Sequence, residues 1–148
     1  MSVDSVEIAA SILNADLGAL RDAVQAAEAA GVDRIHLDIM DGHFVPNLTF
    51  GLSTVEALRS ATKLPFDAHL MILSPGSWAT RFVDAGCESV AIHVEAPDDH
   101  AATLAAIRDS GGRAGLAIPR SPAPRRACGR APPPTGRRRG RGPQRRPG

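Results

Sequence analysis

The chain has 148 residues, with 17 Lys+Arg against 16 Asp+Glu and 43% hydrophobic residues. That suffices for one domain with a core, and no apolar run approaches the ~20 residues of a membrane span. The near-neutral total hides two unlike pieces: residues 1–118 carry 7 Lys+Arg and 16 Asp+Glu, a balance of −9, whereas residues 119–148 carry 10 Arg and no acid. In chain order, Glu7 to Leu13 is a short apolar run that predicts a first strand. Asn14 or Asp16 can cap the helix predicted from Leu17 to Ala30, which Gly31 ends. Arg34 to Met40 predicts a second strand, and Asp41-Gly42 the turn that closes it. A helix over Leu52–Ala61 and a strand over Phe66–Met71 follow. Pro75 opens a helix running to Ala85 and closed by Gly86. Ser89 to Val94 predicts a fourth strand, Asp98 to Ser110 a fourth helix, and Arg113 to Ile118 a fifth strand. Strict alternation of apolar strands with helices means a parallel sheet covered by helices, an α/β fold.

Strands two and three each carry something odd for a buried strand. In strand two, Ile35, Leu37 and Ile39 fall on one face, and His36, Asp38 and Met40 on the other. In strand three, His69 and Met71 face one way, and Ala68, Leu70 and Ile72 the other. Burying an imidazole and a carboxylate is costly unless each is paired or ligates a metal. His36 alone reads as a hydrogen-bonded core histidine. His36, Asp38 and His69 together, on inward positions of adjacent strands, read as a metal site with Met40 and Met71 beside it. Ligands in such folds gather at the carboxyl ends of the strands. Asp41 reads as a turn residue and His43 as a loop residue, and both could face the site. His93 reads equally as structural or functional, and His100 as a solvated helix residue.

The segment 119–148 is a different kind of sequence. Arg, Pro, Gly and Ala supply 26 of its 30 residues, so it offers almost no apolar surface to bury, and a disordered basic tail is expected. Codons made only of G and C encode those four amino acids, so a GC-rich gene read in another frame would give such a segment. The tail could bind an acidic surface through counterion release. It has no aromatic residue for stacking, however, and a nucleic-acid partner is not expected. Cys87 and Cys128 fall one in each piece with no metal-like spacing, so no disulfide framework is expected. Met1-Ser2-Val3-Asp4-Ser5 has no signal-peptide pattern, and a cytoplasmic location without membrane attachment is expected.

Four motifs carry a family resemblance. They are Ala10-Ser11-Ile12-Leu13-Asn14-Ala15-Asp16, then His36-Leu37-Asp38-Ile39-Met40-Asp41-Gly42-His43-Phe44-Val45-Pro46-Asn47, then Asp67-Ala68-His69-Leu70-Met71, then His93-Val94-Glu95. On these, residues 8–118 resemble ribulose-phosphate 3-epimerases, which are (β/α)8 TIM barrels. The resemblance implies a barrel of that type, here ending after about five strands, with residues 1–118 as the partial barrel. It implies interconversion of D-ribulose 5-phosphate and D-xylulose 5-phosphate by metal-assisted proton transfer at C3. It implies that His36, Asp38 and His69 bind a divalent metal (Zn, Fe, Mn or Co) and that Asp38 is a catalytic acid/base. It implies that Ser11, His69, Met40 and Met71 meet a small sugar-phosphate substrate.

Family members also place a second catalytic aspartate in a late Asp-Gly-Gly segment, and bind phosphate with Gly-rich loops after strands six to eight. This sequence contains neither. Unpaired edges at strands one and five would invite pairing with another chain, so a homo-oligomer is an expectation. Two other functions compete: an epimerase for a six-carbon ketose phosphate, and a catalytically inactive fragment or basic binding protein. Related barrels that decarboxylate or aldolise carry Asp-x-Lys-x-x-Asp, where this chain has Asp38-Ile39-Met40-Asp41 without a lysine.

Overall fold

A computed structural model describes residues 6–119, and the compact unit ends at Ile118. The tail expected over residues 119–148 therefore lies, apart from Pro119, outside the described residues. Five strands form one sheet: β1 (Ala9–Ser11), β2 (Arg34–Met40), β3 (Phe66–Met71), β4 (Cys87–His93) and β5 (Arg113–Ala117). Helices α1 (Leu20–Ala29), α2 (Leu52–Arg59), α3 (Ala79–Asp84) and α4 (His100–Asp109) fall between them. The spatial order is β1-β2-β3-β4-β5, and every neighbouring pair is parallel. A doubly wound sheet would reverse its order at a switch point. An order that runs straight on, with a helix in each connection, is the wall of a TIM-type barrel. Among the described residues no helix is long and apolar enough to cross a membrane.

The two faces of the sheet divide as strand alternation requires. Ile35, Leu37, Phe66, Ala68, Leu70, Val90 and Ile92 are wholly buried toward the helices, against Val24, Val55, Leu58, Phe82 and Ile107. The opposite face carries His36, Asp38 and Met40 of β2, Asp67, His69 and Met71 of β3, and Ser89, Ala91 and His93 of β4, all half-buried. The apolar face supplies most of the stabilisation, at roughly 25 cal/mol per Å² of buried apolar surface. The polar face is left to chemistry.

Predicted and observed bounds coincide for β2 and β3, and differ elsewhere for local reasons. β1 is shorter than Glu7–Leu13. It pairs only through Ala9, Ala10 and Ser11, while the Ile8 N–H turns to the Asp33 carboxylate at 2.7 Å. The helix expected from Leu17 begins as a 3-10 turn over Leu17–Ala19, which Asp16, not Asn14, caps by accepting from the Gly18 N–H. α2 stops at Arg59, two residues before the expected Ala61. The helix expected over Pro75–Ala85 is split. A 3-10 turn (Pro75–Ser77) comes first, and Trp78 at φ −123° lies outside helical geometry. α4 starts at His100 because Asp99 is its cap, accepting from the Ala102 N–H. β4 begins at Cys87, because the register against β3 slips between Phe66 and Asp67 and leaves Glu88 as the extra residue. That bulge puts Ser89 opposite Asp67. Cys87 itself is buried, which pushes its thiol up to about 12 and leaves it inert.

Gly86, expected to close the third helix, does so at φ +105°, a left-handed conformation that favours glycine. A Cβ there would stand 2.8 Å from Arg59 Cδ. Arg59 is held in place, donating to the carbonyls of Thr62 and Leu64 with its Cζ 3.8 Å over the Phe66 ring.

Candidate functional site

The polar face converges on Asp38. Ser11, at the end of β1, donates its hydroxyl to Asp38 Oδ2 at 2.8 Å. His36 Nε2 and His69 Nδ1 each lie 3.3 Å from Asp38 Oδ1. Side-chain exposures of 25%, 14% and 23% for His36, Asp38 and His69 place the group between core and solvent, reachable by a ligand. One donor atom from each lies within 4.8 Å of the others. Register explains the grouping: Asp38 pairs with His69 across β2 and β3, and Ser11 with His36 across β1 and β2. Met40 and Met71 pair one step further along the same face.

Two residues of this face escaped sequence reading. Asp67 stands opposite His36, and its Oδ2 lies 2.9 Å from His36 Nδ1. Ser89 donates to Asp67 Oδ1 at 2.7 Å, holding the carboxylate in place. The available signal was that Asp67 precedes His69 by two residues, on the same face. Thr49 also went unremarked. Its hydroxyl donates to the Asp38 carbonyl and accepts from the Met40 N–H, pinning the end of β2.

The charges follow from these contacts. The Asp67 carboxylate at Nδ1 pushes His36 above its ordinary value, with burial opposing and Asp38 adding to the rise. The same bond holds Asp67 low. Burial, reinforced by His93 and His36, pulls His69 below its ordinary value despite its bond to Asp38. His69 is therefore a neutral ligand-type imidazole at neutral pH.

The donor set fits a divalent metal. An ionised carboxylate only accepts, so His36 Nδ1–H donates to Asp67. A neutral His36 then turns the Nε2 lone pair toward Asp38 Oδ1, 3.3 Å away. That contact needs a positive charge between the two atoms: a metal ion, or the second proton that the raised value of His36 favours. A carboxylate holding the far nitrogen of a ligating histidine is the common outer shell of such sites. His36, Asp38 and His69 could hold such an ion and leave positions open for a substrate.

Asp41 and His43 do not join the cluster. Asp41 Oδ1 accepts from the His43 and Phe44 N–H groups, and Oδ2 from the Leu73 N–H, all at 2.8 Å. His43 is exposed, with Nδ1 2.9 Å from the Asp41 carbonyl. Asp41 therefore locks the turn after β2 to the segment after β3. Burial pushes its carboxyl up, but the three N–H groups outweigh burial and hold it below its ordinary value. Its stabilising effect is complete above the unfolded pKa of about 3.9 and is lost as pH falls through the lower folded value. Asp41→Asn would set an amide donor against the Leu73 N–H, costing about 1–3 kcal/mol at neutral pH. Urea midpoints of the two proteins should converge below about pH 3.9, and a gap that persists unchanged into acid would refute this role.

His93 sits beside the cluster, with Nε2 2.7 Å from His69 Nε2 and its ring stacked at a centroid distance of 4.8 Å. Phe44 covers its other side, 5.0 Å between centroids. His100, expected to be solvated, is instead half-buried at the first position of α4, and its Nε2 is buried without a hydrogen-bond partner among the described residues.

The chain is similar to ribulose-phosphate 3-epimerases of Mycobacterium tuberculosis (47% identity over 111 residues, 75% of this chain and 48% of the relative) and Bacillus subtilis (42% over 113 residues, 76% and 52%). It is likewise similar to that of Rhodobacter capsulatus (46% over 120 residues, 80% and 53%). The chain thus spans about half the length of the curated relatives it matches. A solved structure of a mandelate oxidase variant shares the fold at a TM-score of 0.54 and 18% identity, over 70% of this chain and 40% of that one. The family model described as "Ribulose-phosphate 3 epimerase family" matches residues 7–125, running past Ile118, where the motif resemblance ends. By that match and those identities, the chain belongs to the ribulose-phosphate 3-epimerase family.

Proposed function

We propose that this chain carries proton-transfer chemistry at C3 of a ketose phosphate, the reaction that interconverts D-ribulose 5-phosphate and D-xylulose 5-phosphate. The observation that supports it is the convergence of Ser11, His36 and His69 on the Asp38 carboxylate. In this reading Asp38 is the base that takes the C3 proton. His36, Asp38 and His69 hold a divalent metal, and imidazole with carboxylate suits Zn, Fe, Mn or Co. Such an ion, when bound, stabilises negative charge on the substrate oxygen as a Lewis acid. Ser11 and His69 orient the substrate, and Met40 with Met71 keep water from the reacting carbon without offering a proton. Asp67 holds His36 in the ligand tautomer.

The catalytic part is residues 1–118, and the basic segment 119–148 stands outside the chemistry. A cytoplasmic location and pairing with a second copy complete the proposal. β1 and β5 each have a single strand neighbour among the described residues, leaving an edge free for that pairing.

The test uses the full chain with cobalt or zinc and ribulose 5-phosphate in deuterated water. Deuterium should enter C3 faster than in a metal-only blank, because a single positioned carboxylate suffices to remove the proton from one face. Exchange no faster than the blank would refute the proposal. Appearance of xylulose 5-phosphate in the same sample would report a proton donor on the opposite face.

A further inference from the structure

His69 must present a lone pair at Nδ1 if it is to ligate a metal beside Asp38, and that requirement reaches two residues further. A neutral imidazole carries a single proton, so Nε2 of His69 must then hold it. The atom facing His69 Nε2 is His93 Nε2, at 2.7 Å. Two nitrogens at that distance share one proton, so His93 Nε2 must accept, and the His93 proton must sit on Nδ1. That nitrogen is buried and has no hydrogen-bond partner, yet Glu95 Oε2 stands 3.4 Å from it as an acceptor near at hand. Without a metal the opposite arrangement is available. His69 Nδ1–H donates to Asp38 Oδ1 at 3.3 Å, and His93 Nε2–H donates to His69. His93 Nδ1 is then bare, with the Glu95 carboxylate 3.4 Å away.

We propose that His93 is a positioning residue that, with Glu95, selects the His69 tautomer able to bind metal. The inference rests on the proposed metal site. Metal binding moves the His69 proton from Nδ1 to Nε2 and the His93 proton from Nε2 to Nδ1, with no net change in protons on the pair. Glu95 favours the loaded arrangement by accepting from Nδ1–H. Phe44, packed on the His93 ring, keeps it in place between them.

The test has two parts, both on the full chain. Imidazole nitrogen NMR on the unmodified protein, before and after zinc, reads the tautomers directly. The expected loaded state has the His69 proton on Nε2 and the His93 proton on Nδ1. A His93 proton found on Nε2 with zinc bound overturns the proposal. Cobalt titration followed by absorbance then compares His93→Leu with His93→Gln. Leucine removes the acceptor and should weaken binding by about 10–100-fold, as loss of an outer-shell partner does. Glutamine keeps an acceptor oxygen near the Nε2 position and should restore most of the affinity. A merely structural role would make both variants fall together, and that result, or a leucine variant that binds like the unmodified chain, overturns the proposal. His69→Ala serves as the reference. If it leaves cobalt binding unchanged, the metal-site reading itself fails and this inference falls with it.

Discussion

Asp38→Asn is expected to abolish C3 proton exchange and to weaken metal binding in one step. Among the described residues the carboxylate is the group that Ser11, His36 and His69 all approach, so its loss removes the base and a ligand together. A positioned base contributes about 10²–10⁴-fold to rate. Loss of a direct ligand should cost at least the roughly 10–100-fold in affinity seen when only an outer-shell partner is lost. The shape of the substitution is conservative, so the fold should survive. Ser11 can still donate to the amide oxygen, but the amide N–H₂ then takes the place of the oxygen that both imidazoles approach, and it can neither ligate a cation nor accept a proton. Ser11→Ala, which removes one hydrogen bond and no charge, should have a much smaller effect on both readouts. Measurement of deuterium uptake at C3 and cobalt affinity on the same two variants decides the matter. If Asp38→Asn exchanges within about threefold of the unmodified chain, far short of the loss a removed base brings, Asp38 is not the base.

What could be read from the sequence follows the range of each interaction. β2 and β3 were legible to the residue because their alternation is strict: Ile35, Leu37 and Ile39 against His36, Asp38 and Met40. The grouping of His36, Asp38 and His69 was legible because both strands were placed and their polar positions shared a face. Asp67 was not, although it lies on that same face. Its partner His36 belongs to the neighbouring strand, and only the register that pairs them reveals the contact. His93 is harder still. Across β3 and β4, His69 pairs with Ala91, so His93 reaches it diagonally, through side-chain length. The broken third helix had a different cause. Pro75 announced a helix start correctly, but nothing in Gly76-Ser77-Trp78 foretells that Trp78 leaves helical geometry. Short polar contacts and local backbone breaks are decided by tertiary packing, whereas apolar periodicity is written into the chain itself.

The largest stability effect should come from the other end of β3. Phe66 is wholly buried between Ile35 of β2 and Cys87 of β4, and the Arg59 guanidinium lies 3.8 Å over its ring. Phe66→Ala removes the ring's burial and leaves a cavity that neighbouring strands, fixed by their hydrogen bonds, can fill only in part. Such truncations cost about 3–5 kcal/mol. Against a typical domain stability of about 5–15 kcal/mol, that is enough to populate unfolded chain at room temperature. Arg59 adds to the cost. Burial already pushes it below its ordinary value, and without the ring it keeps the Thr62, Leu64 and Gly86 carbonyls but no aromatic face. Phe66→Leu, which refills part of the space, should cost less than half as much. Leu116→Ala, at a position 40% exposed, should stay within about 0.5 kcal/mol. Urea unfolding separates these, because a change in midpoint at constant slope reports stability alone. A Phe66→Ala midpoint close to that of Leu116→Ala would mean that the sheet and helices are not packed through this residue. The site should respond differently. Phe66 and Asp38 share no contact, so the folded fraction of Phe66→Ala should bind cobalt with unchanged affinity. Stability and chemistry would then be shown to occupy opposite faces of the same strands.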